Sequence, residues 1–354
     1  MPYDIIADFR SDTVTRPTKA MYDAICNAKL GDDGFSDDPT VIALEEKCAG
    51  LSGKAKALFF PSGIMANQTA IRVFCDPGQE IILEEDSHMF NYEKGALAYA
   101  MIQTRTVKGV HGVIKISDVK KRIKKASKYQ PGTALLCIEN PHNMSGGTII
   151  DQQHVMDLCD IAHQNEVPVY MDGARLFNAQ IASGIPFKEL AAPVDALMFC
   201  LSKSLGAPAG SVLCGDRLFI EKARGVRQYL GGTMRQSGIL AACGLEALRL
   251  ENINRLAEDH ERTQLLAQSL SALPYFSLPN PRITINMFYL SIDEHAPFDS
   301  HQLVKDAKSE NILLLAPNAR TLRIMCHKDI NDQDVKHLVS FLQNYTIKYE
   351  TTGK

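Results

Sequence analysis

The sequence predicts an α/β protein: a large domain with a mostly parallel sheet covered by helices, residues 1–255, and a smaller α+β C-terminal domain, residues 256–354. Three observations predict it. Short apolar runs alternate with helical patterns from about residue 56 to residue 201, the mark of crossover connections between parallel strands. Two of those runs end in a lone functional group, Asp172 and Lys203, each followed by a glycine-bearing turn. After the Pro-rich stretch at 279–281 the pattern changes to short strands and isolated helices.

The elements follow in order. A polar, Pro-punctuated start gives way to a helix from about residue 18. An acid-rich loop then leads to a helix capped by Asp38 with Pro39 at its first position, and Gly53 ends it. The run A-L-F-F-P-S-G-I-M-A-N-Q reads as strand, tight turn and helix, with Ser62 and Gly63 at the helix N-terminus. Free N–H groups and the helix dipole favour an anion there. A strand at 81–83 delivers His88 to the next junction, and a strand at 133–139 ends in E-N-P-H-N, which carries His142. Between them lie a strand at 101–107 and a basic helix at 118–128. A helix at 153–164, a strand at 168–171 and a strand at 196–201 complete the sheet. A long helical region then runs from about 229 to 272. The C-terminal part reads as strands at 284–292, 312–315 and 321–326, a helix at 300–309, and a last helix capped by Asn331. Arg323 interrupts an alternating strand, which turns it toward a cleft.

In open α/β sheets, ligands sit at the carboxyl ends of the strands. Asp172 and Lys203 both fall there, separated by one helix and one strand, and so face each other across a cleft. Taken singly, an Asp at a strand end is most often a turn or cap residue, and a Lys there a solvated loop residue. Together with an anion site at Ser62 and Gly63, they form the set that pyridoxal phosphate needs: an amine for a covalent tether, a carboxylate for the pyridinium nitrogen, and a phosphate cup. A Walker lysine and a G-x-G-x-x-G run are both missing from that turn, which excludes the common nucleotide motifs.

Composition bounds the partners. A net charge of −3 over 354 residues, without a basic tail, argues against nucleic acid, and no apolar run reaches the length of a membrane span. The nine cysteines form an odd set with no C-x-x-C pair, several of them inside apolar runs, as expected of a cytoplasmic chain with reduced thiols and no metal site.

Seven ordered strings carry a family resemblance: S-D-T-V-T-R-P-T, G-D-D-x-x-x-x-D-P-T, P-S-G-x-M-A-N-Q, E-N-x-H-N, D-G-A-R-L-F-N-A, S-K-x-L-G-A-P and G-G-x-M-R-Q-S-G. They resemble the L-threonine aldolases of the aspartate-aminotransferase-like pyridoxal-phosphate enzymes of fold type I. The resemblance implies retro-aldol cleavage of L-threonine or L-allo-threonine to glycine and an aldehyde, with a β-eliminating lyase, a transaminase or a non-catalytic cofactor-binding protein as alternatives. It implies that Lys203 carries the cofactor and Asp172 pairs with its ring nitrogen. Ser62, Gly63 and Ile64 hold the phosphate, and His88 stacks on the ring. Arg175, Arg323 and Ser11, with Phe35 from the acid-rich loop, meet the substrate. His142 lies near the substrate hydroxyl as its base, and Arg235 reaches the phosphate from a neighbouring subunit of a homodimer or homotetramer. Three positions depart from the family pattern. Phe35 replaces a Tyr, Ile64 replaces a Thr, and Gln228 stands where a basic residue is common.

Overall fold

The computed structural model describes residues 7–352. Its strands are β1 (Ala7–Asp8), β2 (Lys56–Phe60), β3 (Glu80–Glu84), β4 (Gln103–Val107), β5 (Thr133–Glu139), β6 (Val169–Asp172), β7 (Ala196–Cys200) and β8 (Ser211–Gly215). Five more complete the set: β9 (Phe276–Ser277), β10 (Met287–Ile292), β11 (Ile312–Leu313), β12 (Leu315–Asn318) and β13 (Thr321–Met325). The main sheet has seven strands in the order β2-β8-β7-β6-β5-β3-β4. Every neighbouring pair from β7 to β4 is parallel, and β8 runs antiparallel to both β7 and β2.

Strand side chains alternate between faces, so a sheet covered on both sides must be apolar at every position. The central strands meet that demand. Leu136, Ile138, Val169, Met171, Leu197 and Phe199 pack into one core. Their alternates, including Leu135, Cys137, Tyr170, Met198 and Cys200, pack into another on the opposite face. A third core belongs to the four-stranded sheet β12-β13-β10-β9 and the helices Ser300–Ser309 and Asp332–Thr352.

The N-terminal segment crosses to the C-terminal part of the chain. Strand β1 pairs in parallel with β11, and Ala7 and Phe9 are buried in the third core, so this segment packs with the smaller unit and not with the large one. The basic helix is shorter than its composition suggests, Ile116–Arg122. The chain beyond it turns extended at Ile123, and Lys124 exchanges hydrogen bonds with Thr133 at the start of β5. The stretch 211–229, unassigned by pattern, forms β8 and the helix Arg217–Tyr229. No helix among the described residues is long and apolar enough to cross a membrane.

Candidate active site

The carboxyl ends of β3, β5, β6 and β7 open onto a cleft closed from above by the smaller unit. Two adjoining cavities of about 350 and 360 Å³ occupy it, and Lys203, Arg175, His88 and Asn143 line both. Lys203 stands in the turn after β7. Its carbonyl accepts hydrogen bonds from Thr15 Oγ1 (3.1 Å) and from the Gly206 N–H (2.8 Å), which fixes the backbone that carries the amine.

Asp172 ends β6 and is 2% exposed. Its Oδ1 accepts the Ala174 N–H (3.1 Å) and its Oδ2 the Asn67 amide (2.8 Å). The Asn67 amide donates equally to Glu93 Oε1 (2.8 Å), and its oxygen accepts the Tyr170 hydroxyl (2.7 Å). Glu93 is itself buried and touches His88 Nδ1 at 3.2 Å. Burial would lower the His88 pKa, but the Glu93 hydrogen bond and the charges of Asp172 and Glu93 carry it above its ordinary value. The ring stacks against Tyr92, centroids 5.8 Å apart.

The opposite wall is cationic. Arg175 forks onto Asp12, Nε to Oδ2 and Nη2 to Oδ1, both at 2.7 Å. Burial pushes the Asp12 carboxyl up, yet Arg175, Lys203 and the Ser204 hydroxyl hold it well below the usual range. On β13, Leu322 and Ile324 enter the third core while Arg323 faces the cleft beside Tyr289, its register partner on β10. Arg323 shares the Asn143 oxygen with Arg175, 3.2 Å from each guanidinium. Its Nε is buried without an acceptor among the described residues. Burial and the neighbouring Arg175 charge lower its pKa. Arg175 has the Asp12 carboxylate and Arg323 has none, which leaves an unsatisfied positive site shaped for a second carboxylate. Ser11, whose hydroxyl caps Thr13, lines the same cavity.

The far end of the cleft is the start of the helix Gly63–Phe74. Ser62 Oγ accepts the Met65 N–H (3.2 Å), and Gly63 and Ile64 open the helix. A Cβ on Gly63 would lie 2.8 Å from Met198 Cε, so the helix end packs closely on the cavity floor and a larger residue would require the Met198 side chain to shift. The residues fit pyridoxal phosphate: an anion site at a helix N-terminus, a buried carboxylate and a lysine share one cavity.

Three expected residues lie elsewhere. His142 is fully buried and lines neither cavity. After β5 the chain folds back over the end of β3, so Nε2 meets Glu84 Oε2 and Nδ1 meets the Ser145 hydroxyl, both at 3.0 Å. With both nitrogens engaged, it is not placed to act as a base on a ligand in the cleft. Phe35 is 78% exposed and apart from its own chain's cleft. Arg235 is also exposed, next to Asp32 (3.4 Å). The sequence reading missed Asp12, Asn67, Glu93 and Asn143. Asp12, Asn67 and Asn143 lie inside the quoted strings with expected residues. Glu93 sits between two four-residue helices, where no periodic signal marks it.

A parallel α/β sheet that presents a lysine and a buried aspartate to one cavity beside a helix-capped anion site defines a pyridoxal-phosphate enzyme of fold type I. The chain belongs to the β-eliminating lyase family, whose model matches residues 8–293. It is 40% identical over 341 residues to low-specificity L-threonine aldolase 1 of Arabidopsis thaliana, covering 95% of each chain. It is 35% identical to the low specificity L-threonine aldolase of Escherichia coli K12, covering 94% of this chain and 97% of that one. The solved structure of Leishmania major threonine aldolase superposes with a TM-score of 0.83 at 16% identity, over 96% of this chain and 99% of that one.

Proposed function

We propose that the protein is an aldehyde-lyase that cleaves L-threonine, L-allo-threonine and related β-hydroxy-α-amino acids to glycine and an aldehyde. The observation that carries this reading is Arg323, its Nε buried without an acceptor among the described residues, paired with Arg175 beside Lys203, with His88 lining the same cavity. The pair receives the amino-acid carboxylate, with Ser11 at its edge. That fixes the α-carbon near Lys203 and directs the β-substituent toward His88. Pyridoxal phosphate, tethered by Lys203, supplies the electron sink for the α-carbon. Asp172 keeps a proton on the ring nitrogen, and Ser62, Gly63 and Ile64 receive the phosphate.

His88 takes over the role that the family resemblance implies for His142. Its Nδ1 is held by Glu93, which leaves Nε2 to accept the β-hydroxyl proton. The O–H electron pair forms the aldehyde C=O, the Cα–Cβ pair remains on Cα, and a proton returned to Cα completes glycine. β-Elimination is the second reading, favoured by the description of the matched family. It needs a proton donor at the leaving group, not an acceptor. Product analysis with the four threonine stereoisomers separates the two: glycine and acetaldehyde support the aldolase, whereas a 2-oxo acid and ammonia overturn it.

The phosphate end has little cationic charge of its own chain, since Arg175 is committed to Asp12. Exposed Arg235 and Phe35 stand on adjoining loops, joined by the Asp33 N–H to the Arg235 carbonyl (3.2 Å). They support a homodimer, or a tetramer of two such dimers, in which Arg235 completes the phosphate site of a second copy.

A further inference from the structure

Glu93 lines neither cavity and is nearly inaccessible, yet it is the hub of the polar groups beneath the cleft. It receives three contacts: Asn67 Nδ2 (2.8 Å) and His88 Nδ1 (3.2 Å) at Oε1, and Gln68 Nε2 (2.7 Å) at Oε2. The orientation of Asn67 is unambiguous, because its oxygen accepts from Tyr170 while its nitrogen faces the two carboxylates. Both hydrogens of that amide are therefore used, one toward Glu93 and one toward Asp172. The reactive atoms of His88, Glu93 and Asp172 all lie within 4.8 Å of one another, and the amide nitrogen of Asn67 bonds to both carboxylates.

We propose that Glu93 is a positioning residue of this active site: it fixes the His88 proton on Nδ1, aims a bare Nε2 into the cleft, and through the shared Asn67 amide holds the Asp172 carboxylate in register with the cofactor ring. The inference rests on the function proposed above for the use made of Nε2. A carboxylate on one imidazole nitrogen selects the tautomer in which the other nitrogen is the acceptor. No other hydrogen-bond partner for a ring nitrogen is found among the described residues. The His88 backbone N–H is held separately by Glu139 Oε2 (2.6 Å), so the residue is anchored at its backbone as well as at Nδ1. The charged groups facing the ring are Glu93 and Asp172, which favour its cationic form, and Lys203, which opposes it.

The same amide makes the two carboxylates tolerable to each other. Two anions this close repel, and a donor bridging them offsets that cost without adding a charge. Loss of the Glu93 charge therefore acts on His88 first and reaches Asp172 only through Asn67.

The test uses holoenzyme labelled with 15N at histidine, with the His88 signal assigned from a His88→Asn variant. In the wild type, the 15N shifts above the His88 titration should report Nδ1–H and bare Nε2. A Nε2–H tautomer overturns the proposal, and this arm needs no Glu93 variant to fold. In Glu93→Gln, the His88 titration should move down by about one pH unit or more, as expected when a partner charge is removed. Its kcat should fall about 100-fold with KM within threefold, the usual size of losing an outer-shell partner. The acid limb of the kcat profile should move with the NMR titration. A His88 titration coincident with the wild type overturns the proposal, as does a kcat loss with an unmoved pH profile. If wild-type enzyme releases no glycine from threonine, the proposed function fails while the tautomer and titration still decide the role of Glu93.

Discussion

The two walls of the cleft are charged oppositely and finished differently. The acidic wall, Asp172 with Glu93 behind it, is closed on itself: the Asn67 amide bridges the carboxylates, and Tyr170 and Gln68 complete the shell. The cationic wall is left open, since Asp12 saturates Arg175 but Arg323 keeps a buried Nε without an acceptor. Buried polar groups left unmade are costly. A wall that keeps one is waiting for a ligand, whereas a wall that satisfies all of its groups is holding something rigid in place. Under the proposed function, the difference separates substrate binding from cofactor alignment.

Lys203 lines both cavities and belongs to neither wall, so its removal tests the comparison most severely. Lys203→Ala is expected to reduce turnover to background and to abolish the cofactor-linked visible absorbance, because no other amine among the described residues lines the cavity that holds Asp172. Retention of either signal breaks the assignment. Asp172→Asn strikes the closed wall. It should retain the cofactor but lose about 10² to 10³-fold in kcat, the scale of losing one preorganised electrostatic contact. Measured cofactor affinity with kcat within tenfold of the wild type would remove the carboxylate from the chemistry.

Arg323→Gln strikes the open wall and should act on binding. A charge-assisted hydrogen bond to a carboxylate is worth about 1.5 to 3 kcal/mol, so KM for threonine should rise roughly 10 to 100-fold with cofactor affinity unchanged. A change confined to kcat would mean that the wall orients and does not bind. The shared-site reading has its own test. Lys203→Ala and Arg235→Ala homomers should each be impaired, and a mixture refolded together should regain part of the activity, because some sites then hold both intact residues. An additive mixture denies a site shared between copies.

These walls were unequally legible in the sequence. Asp172, Lys203, Ser62 and Arg323 could be found because strand ends and helix starts are periodic features, and a polar residue that breaks the period stands out. Glu93 could not, since it lies between two four-residue helices where no period exists, and it reaches Asn67 and His88 only through the folded turn. His142 shows the converse error. Its position at a strand end was read correctly, but pattern does not say which way a side chain leaves the strand, and here the chain turns back toward Glu84.

The smallest expected effect concerns that buried pair. Burial would lower the His142 pKa, but the hydrogen bond to Glu84 and the charges of Glu139 and Glu84 raise it above its ordinary value near 6.5. Burial would raise the pKa of Glu84, but the His142 hydrogen bond and charge lower it below its ordinary value near 4.5. A raised histidine contributes stability that is full below its unfolded pKa and is lost as pH climbs through the folded one. A depressed carboxyl contributes stability that is full above its unfolded pKa and is lost as pH falls through the folded one. The pair therefore stabilises the fold most between about pH 4.5 and 6.5, the ordinary values of its two members. Raising the pH past the folded His142 value should therefore lower the stability. Thermal melts of the wild type should show this decline, and His142→Asn melts should lose it while starting from a lower Tm. If the variant instead melts with the wild-type pH dependence and has lost turnover, His142 belongs to the chemistry of the cleft, and the sealed junction drawn between Glu84 and Ser145 opens during catalysis.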